Sequence, residues 1–536
     1  MSHPVVSLLL LPPEPHTAGA PTPGAAGTRH SFDLQGDGPW ELVEPGAAGA
    51  VGAPGADPGP SPLDRPLATA DAYRDLVPEM LDRARGDLIG VVHAGDQLEP
   101  GALASILAYL AELGRGPDDL PAALYTDEQW PGPGASGIAA KPDFSIRHLR
   151  QYDAIGRLFL VRRDVLAAAG GSAPGDHARD AAAAWDLRLR IAEETADIVH
   201  VPVLGIWRSG PPPAGDAYLE AGRHAVEAHL ARLGVDADVE PTRAAPGDAA
   251  GFLRIWPRIP GRPHEAPLVS LVVPTGGGRR EVRGVDTLLV AHTVASVVDR
   301  TTYPNYEIVL VPSDGTDPSA IDACRAAVAR AGAPAQVRVA PADGPFNFSG
   351  SVNAGVAAAG GQYVVLLNDD VEVLEPRWLE RMVAVAQDSQ VGAVGAKLLF
   401  EDGTIQHVGV YVKNDGWVGH QHIFEPDITG AAGPQGAKVV DLDVLAVTGA
   451  CLLVRRDSYE RVGGFTESLP LNFNDVDFCL KLVAAGYVNV VTPFARLHHF
   501  ESSTRTAQVH DEETAALDWW VPRSLGDPNV HVRGVH

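Results

Sequence analysis

Cysteine is scarce in this chain: Cys324, Cys451 and Cys479 are the only three in 536 residues. They show no metal-ligand spacing and cannot build a disulfide framework, so an oxidised, disulfide-held scaffold is excluded and a reducing cytoplasm is the expected setting. Basic residues are short as well. Against 68 Asp and Glu stand 42 Lys and Arg, a formal net charge of −26. No Lys/Arg run is long enough to make a local basic patch, so neither nucleic acid nor an anionic lipid surface is an expected partner. Uninterrupted apolar runs of ~18 residues are absent, and no membrane-spanning helix is expected. The short run Leu8–Leu11 has no basic stretch before it, so a signal peptide is not expected either.

What is present is an internal repeat. Residues 160–164 and 453–457 both read LVRRD, and a Gly-Gly pair follows each at the same offset of 293. Further on, Asp186–Pro202 (DLRLRIAEETADIVHVP) mirrors Asp477–Pro493 (DFCLKLVAAGYVNVVTP) at an offset of 291. VVSLLLLP at 5–12 matches LVSLVVP at 268–274. The period is far too long for a solenoid and implies two related domains. With 45% hydrophobic and 21% charged residues both are globular. The expected division is 1–250 and 267–536, joined by a connector at 251–266.

The second half alternates apolar strands (LVSLVVP, YEIVLVP, YVVLLNDD) with helical segments (DTLLVAHTVASVVDRT, SAIDACRAAVARAG, PRWLERMVAVAQD), the pattern of an α/β domain with a mostly parallel sheet. Ligands of such sheets bind beyond the carboxyl ends of the strands. The first half follows the same plan, but residues 12–66 are rich in Pro, Gly and Ala and read as a flexible insertion. PTGGGRR after LVSLVV reads as a flexible loop; it is neither a Walker A loop nor a dinucleotide fingerprint.

Three polar groups in the second half are candidates for chemistry. Asn368, Asp369 and Asp370 end the strand YVVLLNDD, where adjacent acids repel each other and a divalent cation, Mg²⁺ or Mn²⁺, would relieve the cost. Asn474, Asp475 and Asp477 begin a helix, where one carboxylate can serve as a general base. His498 and His499 follow the strand VNVVTP and are candidate ligands. The plain alternative for the acids is capping, since Asp and Asn favour turns and helix starts. The repeat tests it. At the 291 offset Asn474 and Asp475 face Ala183 and Ala184, while His498 and His499 face Trp207 and Arg208. Of the strand-end acids only Asp96, in VVHAGD, remains. Caps belong to the fold and should persist with it; selective loss favours function in the second copy and degeneracy in the first.

At this point the chain resembles the bacterial family 2 glycosyltransferases, and among them the two-module enzymes of O-antigen and other surface polysaccharides. The resemblance rests on PLVSLVVPT, TTYPNYEIVLV, FNFSGSVNAGVAAAGGQYVVLLNDDVEV, IQHVGV, VTGACLLVRRD, GGFTE, NDVDFCLKLVAAGY and HHFESSTR, in order over about 267–505. LYTDE, KPDFS and IVHVP carry it into the first half. It implies two tandem Rossmann-like domains of the GT-A fold, the first degenerate. It also implies inverting, metal-dependent transfer of a sugar from a nucleotide-diphosphate donor to a glycan or lipid-linked glycan hydroxyl, in the cytoplasm or peripherally at the inner face of the cell membrane. In that reading Asp370 holds Mn²⁺ or Mg²⁺ with His499, and His498 is the alternate ligand. Asn368 and Asp369 lie near the ribose and diphosphate, and Thr275 and Asn353 line the nucleotide pocket. Gly449 lets backbone approach the sugar or acceptor, Asp475 is the base, and Asn474 and Asp477 flank it. Where the family has an Asp after the second strand this chain has Pro312, and Asp314 is the substitute. Phe500 replaces the second His of the usual His-His-Glu-Ser. Two other classes compete: a non-catalytic nucleotide- or carbohydrate-binding protein, and a nucleotidyltransferase using Arg279 and Arg280 of PTGGGRR.

Overall fold

The computed structural model describes residues 5–11, 24–45, 78–131, 139–170, 182–243, 251–259, 265–333, 335–341, 346–412, 418–427, 436–500, 515–516 and 519–520. The chain divides into two compact units, Met1–Ile255 and Trp256–Gly534. The first contains β1 (Val6–Leu11), β2 (Trp40–Val43), β3 (Leu88–His93), β4 (Gln97–Leu98), β5 (Ala123–Gln129), β6 (Phe159–Arg162) and β7 (Ile198–Trp207), in the sheet order β2-β1-β3-β6-β5-β7-β4. β8 (Ala237–Arg243) and β9 (Gly251–Pro257) pair with each other. Residues 251–257, read from sequence as connector, are therefore a strand.

The second unit continues with β10 (Val269–Thr275), β11 (Arg279–Val282), β12 (Val285–Leu288), β13 (Tyr306–Pro312), β14 (Gln336–Val339), β15 (Tyr363–Leu367), β16 (Val371–Val373), β17 (Val391–Leu399), β18 (Ile405–His407), β19 (Val410–Val412), β20 (Val418–His420), β21 (Leu442–Val444), β22 (Cys451–Arg455) and β23 (Val488–His499). Its main sheet runs β14-β13-β10-β15-β22-β17-β23-β16. Strand for strand, β2-β1-β3-β6-β5-β7-β4 takes the places of β13-β10-β15-β22-β17-β23-β16. Every junction agrees in direction: parallel on both sides of β1 and β10, antiparallel on both sides of β6 and β22, parallel for β5/β7 and β17/β23, antiparallel at the last pair. The second sheet adds β14 at one edge. β1, β10 and β17 are buried along their whole length, which is why they read as unbroken apolar runs.

The repeated LVRRD has a structural cause. Arg163 donates to the carbonyls of Leu81, Ala84 and Gly86, and Arg456 to those of Val356, Ala359 and Gly361. Each guanidinium satisfies carbonyls around the end of the helix that leads into the neighbouring strand, β3 or β15. The repeat also hides polar pairs. Ser7 Oγ donates to Glu41 (2.6 Å) and accepts from Gly86 N (2.7 Å); Ser270 Oγ donates to Glu307 (2.7 Å) and accepts from Gly361 N (2.9 Å). A Cβ on Gly86 or Gly361 would come within 2.7 Å of backbone atoms, so no larger residue fits.

Two stretches expected to be flexible are ordered. Within the supposed insertion, residues 24–33 form a helix and 40–43 form β2, the counterparts of the helix Leu289–Arg300 and β13. Both helices carry Thr-x-x-Ser. Thr28 accepts from Gly95 N and Ser31 from Leu98 N, as Thr293 accepts from Val371 N and Ser296 from Val373 N. The remainder of the insertion, 12–23 and 46–66, lies outside the described residues. The GGGRR loop is the start of a hairpin, β11 against β12. Phe500, buried among Val282 and Leu289, holds it from below, and Arg280 donates to the Phe500 carbonyl.

Candidate active site

β15 ends at Leu367, and the chain turns through Asn368-Asp369-Asp370 into β16, which pairs with the end of β23. The turn is held from beneath by Thr293, fully buried on its helix. The single hydroxyl proton is shared between the carbonyls of Asp369 (2.8 Å) and Val371 (2.9 Å), and the oxygen accepts from Val371 N (3.1 Å). Thr293→Val removes both the donated and the accepted bond without changing shape. It is expected to cost about 1–3 kcal/mol, read as a lower urea midpoint at unchanged m-value; an unchanged midpoint would show that the hydroxyl does not hold the turn.

Above this support the three side chains separate. Asp369 turns to Thr275 at the end of β10, whose hydroxyl donates to Oδ2 at 2.5 Å. Asp370 Oδ1 lies 3.2 Å from His499 Nε2, and the Asn368 carboxamide nitrogen 3.1 Å from the same atom. The β16/β23 register produces this meeting: Val371 faces His499, and Phe500 N donates to the Asp370 carbonyl. Alternation along β23 sends His498 elsewhere, to the Phe400 carbonyl at 2.9 Å. Of the two histidines, only His499 meets Asp370.

The helix Asn474–Ala484 supplies the other side. Its N-cap is Phe473, in a left-handed conformation (φ 56°) with no side-chain cap. Asp475 is thus not the cap that the plain alternative required. It reaches across to Gly449, whose N–H donates to Oδ2 at 2.8 Å, while Val476 N donates to Oδ1. The next residue, Ala450, accepts from Asn368 N at 3.0 Å. Residues 449–450 therefore tie the Asn-Asp-Asp turn to the Asp475 helix. A Cβ on Gly449 would make only ordinary contacts, the nearest at 3.4 Å. Asn474 is buried, and its amide nitrogen has no hydrogen-bond partner among the described residues.

β18 contributes two residues that sequence reasoning left without a role, although IQHVGV stood out as a motif. Gln406 Oε1 lies 2.7 Å from His499 Nδ1. His407 accepts from Thr448 N at 3.4 Å and meets His420 at 2.9 Å through Nδ1. Burial, with His420 and His499 adding to it, pushes the His407 imidazole well below its ordinary pKa, which keeps it neutral.

Other expected site residues have different partners. Asn353 donates to the Phe465 carbonyl and Glu467 and accepts from Tyr459 and Phe465 N, so its amide pins the GGFTE turn. Asp477 is buried and bonded to Thr466 (2.7 Å), Lys481 (3.1 Å) and Trp520 (2.9 Å), a bracing arrangement within the fold. Asp314 sits exposed in the turn after β13, two residues beyond Pro312, which is the register partner of Thr275. Arg279 pairs with Asp286 (2.6 Å) and Arg280 with Glu401 (3.1 Å), so each arginine has an acidic partner within the chain. Glu501 and Arg505, which follow the two histidines in HHFESSTR, lie outside the described residues.

The first unit shows what replaced this site. Gln97 faces Trp207 as Val371 faces His499, so Trp207 holds the His499 position, one residue from where the sequence offset placed it. Asp96 precedes Gln97 as Asp370 precedes Val371. It is fully buried, ion-paired with Arg157 at 3.1 Å and bonded to Ser209 N and Oγ. By the LVRRD offset Arg157 stands where the second unit has Ala450. The surviving acid is thus neutralised by a side-chain cation. Beside it, Glu128 is buried between Lys141 and Arg208, both at 3.1 Å.

A divalent ion is implied by the donor chemistry, and the second-unit residues fit one. Ligands held at ~2.1 Å on adjacent octahedral positions are ~3 Å apart, close to the Asp370–His499 separation. Among the described residues no group of three or more His, Cys, Asp or Glu is placed to hold a metal, so substrate phosphates would complete the shell.

An α/β sheet with an Asn-Asp-Asp turn at a strand end, a histidine meeting it and a carboxylate opposite is the arrangement expected from the resemblance to nucleotide-sugar transferases. Residues 267–516 match the family described as glycosyltransferase like family 2, and this part of the second unit is a domain of that family. The chain is 36% identical over 462 residues to the O-antigen biosynthesis protein RfbC of Myxococcus xanthus, covering 84% of this chain and 33% of that one. It is 34% identical over 471 residues to the uncharacterized protein y4gI of Sinorhizobium fredii, covering 84% and 48%. A 59-residue stretch, 11% of this chain, is 44% identical to 19% of an N-acetylglucosaminyl-diphospho-decaprenol L-rhamnosyltransferase of Mycobacterium tuberculosis. The chain thus spans half or less of the length of these relatives.

Proposed function

We propose that the second unit transfers a sugar, with inversion, from a nucleotide-diphosphate donor to a glycan hydroxyl in cell-surface polysaccharide synthesis. The observation that carries this reading is the pairing of Asp370 with His499 at 3.2 Å, joined through residues 449–450 to Asp475. Asp475 takes the proton of the acceptor hydroxyl. The acceptor oxygen bonds to the anomeric carbon as the bond to the diphosphate oxygen breaks on the opposite face. Gly449 N and Val476 N fix the direction of the base. Asp370 and His499 would hold Mn²⁺ or Mg²⁺, which when bound offsets charge on the departing diphosphate. Asp369, turned to Thr275, borders the donor side. Names of relatives containing O-antigen and diphospho-decaprenol support a lipid-linked glycan acceptor at the inner face of the membrane. No helix among the described residues is long and apolar enough to cross a membrane. Transfer is confined to the second unit, since in the first Trp207 takes the His499 position and Arg157 neutralises Asp96.

The test is nucleotide release from a panel of UDP-, GDP- and dTDP-sugars with Mn²⁺ or Mg²⁺ and a pool of glycan acceptors. Release is expected with at least one donor, and chelation should lower it by about 100-fold, a loss of ~3 kcal/mol of transition-state stabilisation. Donor binding without release across the panel would favour the non-catalytic alternative. Pyrophosphate release from a nucleoside triphosphate would favour the nucleotidyltransferase.

A further inference from the structure

We infer that Gln406 is a positioning residue that sets the tautomer and direction of His499, and so makes the metal-binding half of the site competent; the inference rests on the metal role proposed for Asp370 and His499. β18 is only three residues long, and its pairing with β17 is irregular. His407 faces Leu398 and Ile405 faces Leu399, so three residues on β18 oppose two on β17. The extra residue is Gln406. Bulges of this kind redirect a side chain that regular alternation would send to the other face. Here the bulge lets neighbouring residues both serve the site: Gln406 reaches His499, and His407 reaches Thr448 beside Gly449.

The Gln406 carboxamide grips His499 at two points. Its oxygen accepts from Nδ1 at 2.7 Å, and its nitrogen donates to the His499 carbonyl at 3.4 Å. A carboxamide oxygen is only an acceptor, so the bond requires the ring proton on Nδ1. On the other edge the Asn368 nitrogen, only a donor, lies 3.1 Å from Nε2 and requires a lone pair there. Gln406 and Asn368 favour the same neutral tautomer, and the Asp370 carboxylate, an acceptor 3.2 Å from Nε2, then faces the Nε2 lone pair as a cation would require. Gln406 is 4% exposed, so water does not compete for the bond. Loss of such an outer partner typically costs a metal site about 10–100-fold in affinity.

The experiment is a Mn²⁺ titration of the full chain, following the free ion by electron paramagnetic resonance, with thermal unfolding measured on the same samples. Gln406→Ala and Gln406→Leu are expected to raise the Mn²⁺ dissociation constant by about 10–100-fold. Gln406→Glu keeps the acceptor oxygen and should stay within about threefold of wild type. Leu fills the volume that Ala vacates, so agreement between the two separates the lost acceptor from a cavity effect. Wild-type affinity in both Ala and Leu variants at unchanged melting temperature overturns the inference. Equal loss in all three variants, Glu included, also overturns it by pointing to packing. If the wild type does not bind Mn²⁺, the role of Gln406 falls with that of the metal; donor turnover by the same preparation then decides separately whether the transferase reading stands.

Discussion

Asp475→Asn is expected to lower kcat for transfer by about 10²–10⁴-fold with little change in donor KM. The substitution preserves shape, and an Asn oxygen can still accept from Gly449 N, so the backbone link to the Asn-Asp-Asp turn survives. What it removes is the capacity to take the acceptor proton. The split between kcat and KM is the informative part. A base that acts only on the acceptor leaves donor binding at Asp369 and Asp370 untouched, whereas a bracing residue would disturb both. Steady-state kinetics with saturating acceptor decides it, and activity within a fewfold of wild type would remove Asp475 from the base role. Asp477→Asn, two residues on, is the control: its partners Thr466, Lys481 and Trp520 belong to the fold, and its effect should appear in stability more than in kcat.

The largest stability effect is expected in the first unit, at Glu128. This carboxylate is buried with Lys141 and Arg208 each at 3.1 Å and accepts from Arg157 N at 2.6 Å. Burial alone would raise its pKa. The two cations and the N–H outweigh burial and hold it at about 2, against an ordinary 4.5. Glu128→Gln leaves two cations buried without their counter-charge, which typically costs about 3–5 kcal/mol. Hydrogen exchange on peptides covering β5 and β6 should show that loss in the first unit, while peptides of the second unit keep wild-type protection. Equal protection of the first unit in both proteins would refute the claim. The pH dependence has a definite sign. Because the folded pKa is depressed, the stabilisation is present above the unfolded value near 4.5 and is lost as pH falls toward about 2, on the order of 3 kcal/mol in all.

Comparison of the two copies sharpens what a repeat can say about function. By sequence, polar groups seemed to persist only in the second copy. The structure divides them into two sets. Ser7 with Glu41 matches Ser270 with Glu307, Thr28 and Ser31 match Thr293 and Ser296, and Arg163 matches Arg456. These persist because each satisfies a buried backbone group that the fold creates wherever it forms. Asn368, Asp475 and His499 satisfy no such group that both copies share, and the first unit has Ala94, Ala184 and Trp207 at their positions; Asp370 survives as Asp96, which Arg157 neutralises.

By itself, the sequence determined the architecture and the short list for chemistry. Strands buried on both faces must be continuously apolar, so their alternation with helices was legible, and the LVRRD offset revealed the duplication. Strand-end acids and helix-start acids stand out because their neighbours are apolar. What only tertiary structure decided were the partners that lie far apart along the chain. Glu41 and Glu307 meet their serines across parallel strands, Phe500 turns GGGRR from a loop into an anchored hairpin, and Asn353 is claimed by the Phe465 turn. The choice of His499 over His498 depends on strand register, in which a shift of one residue reverses every side chain. The role of Gln406 depends on a bulge, which no periodicity in the chain records.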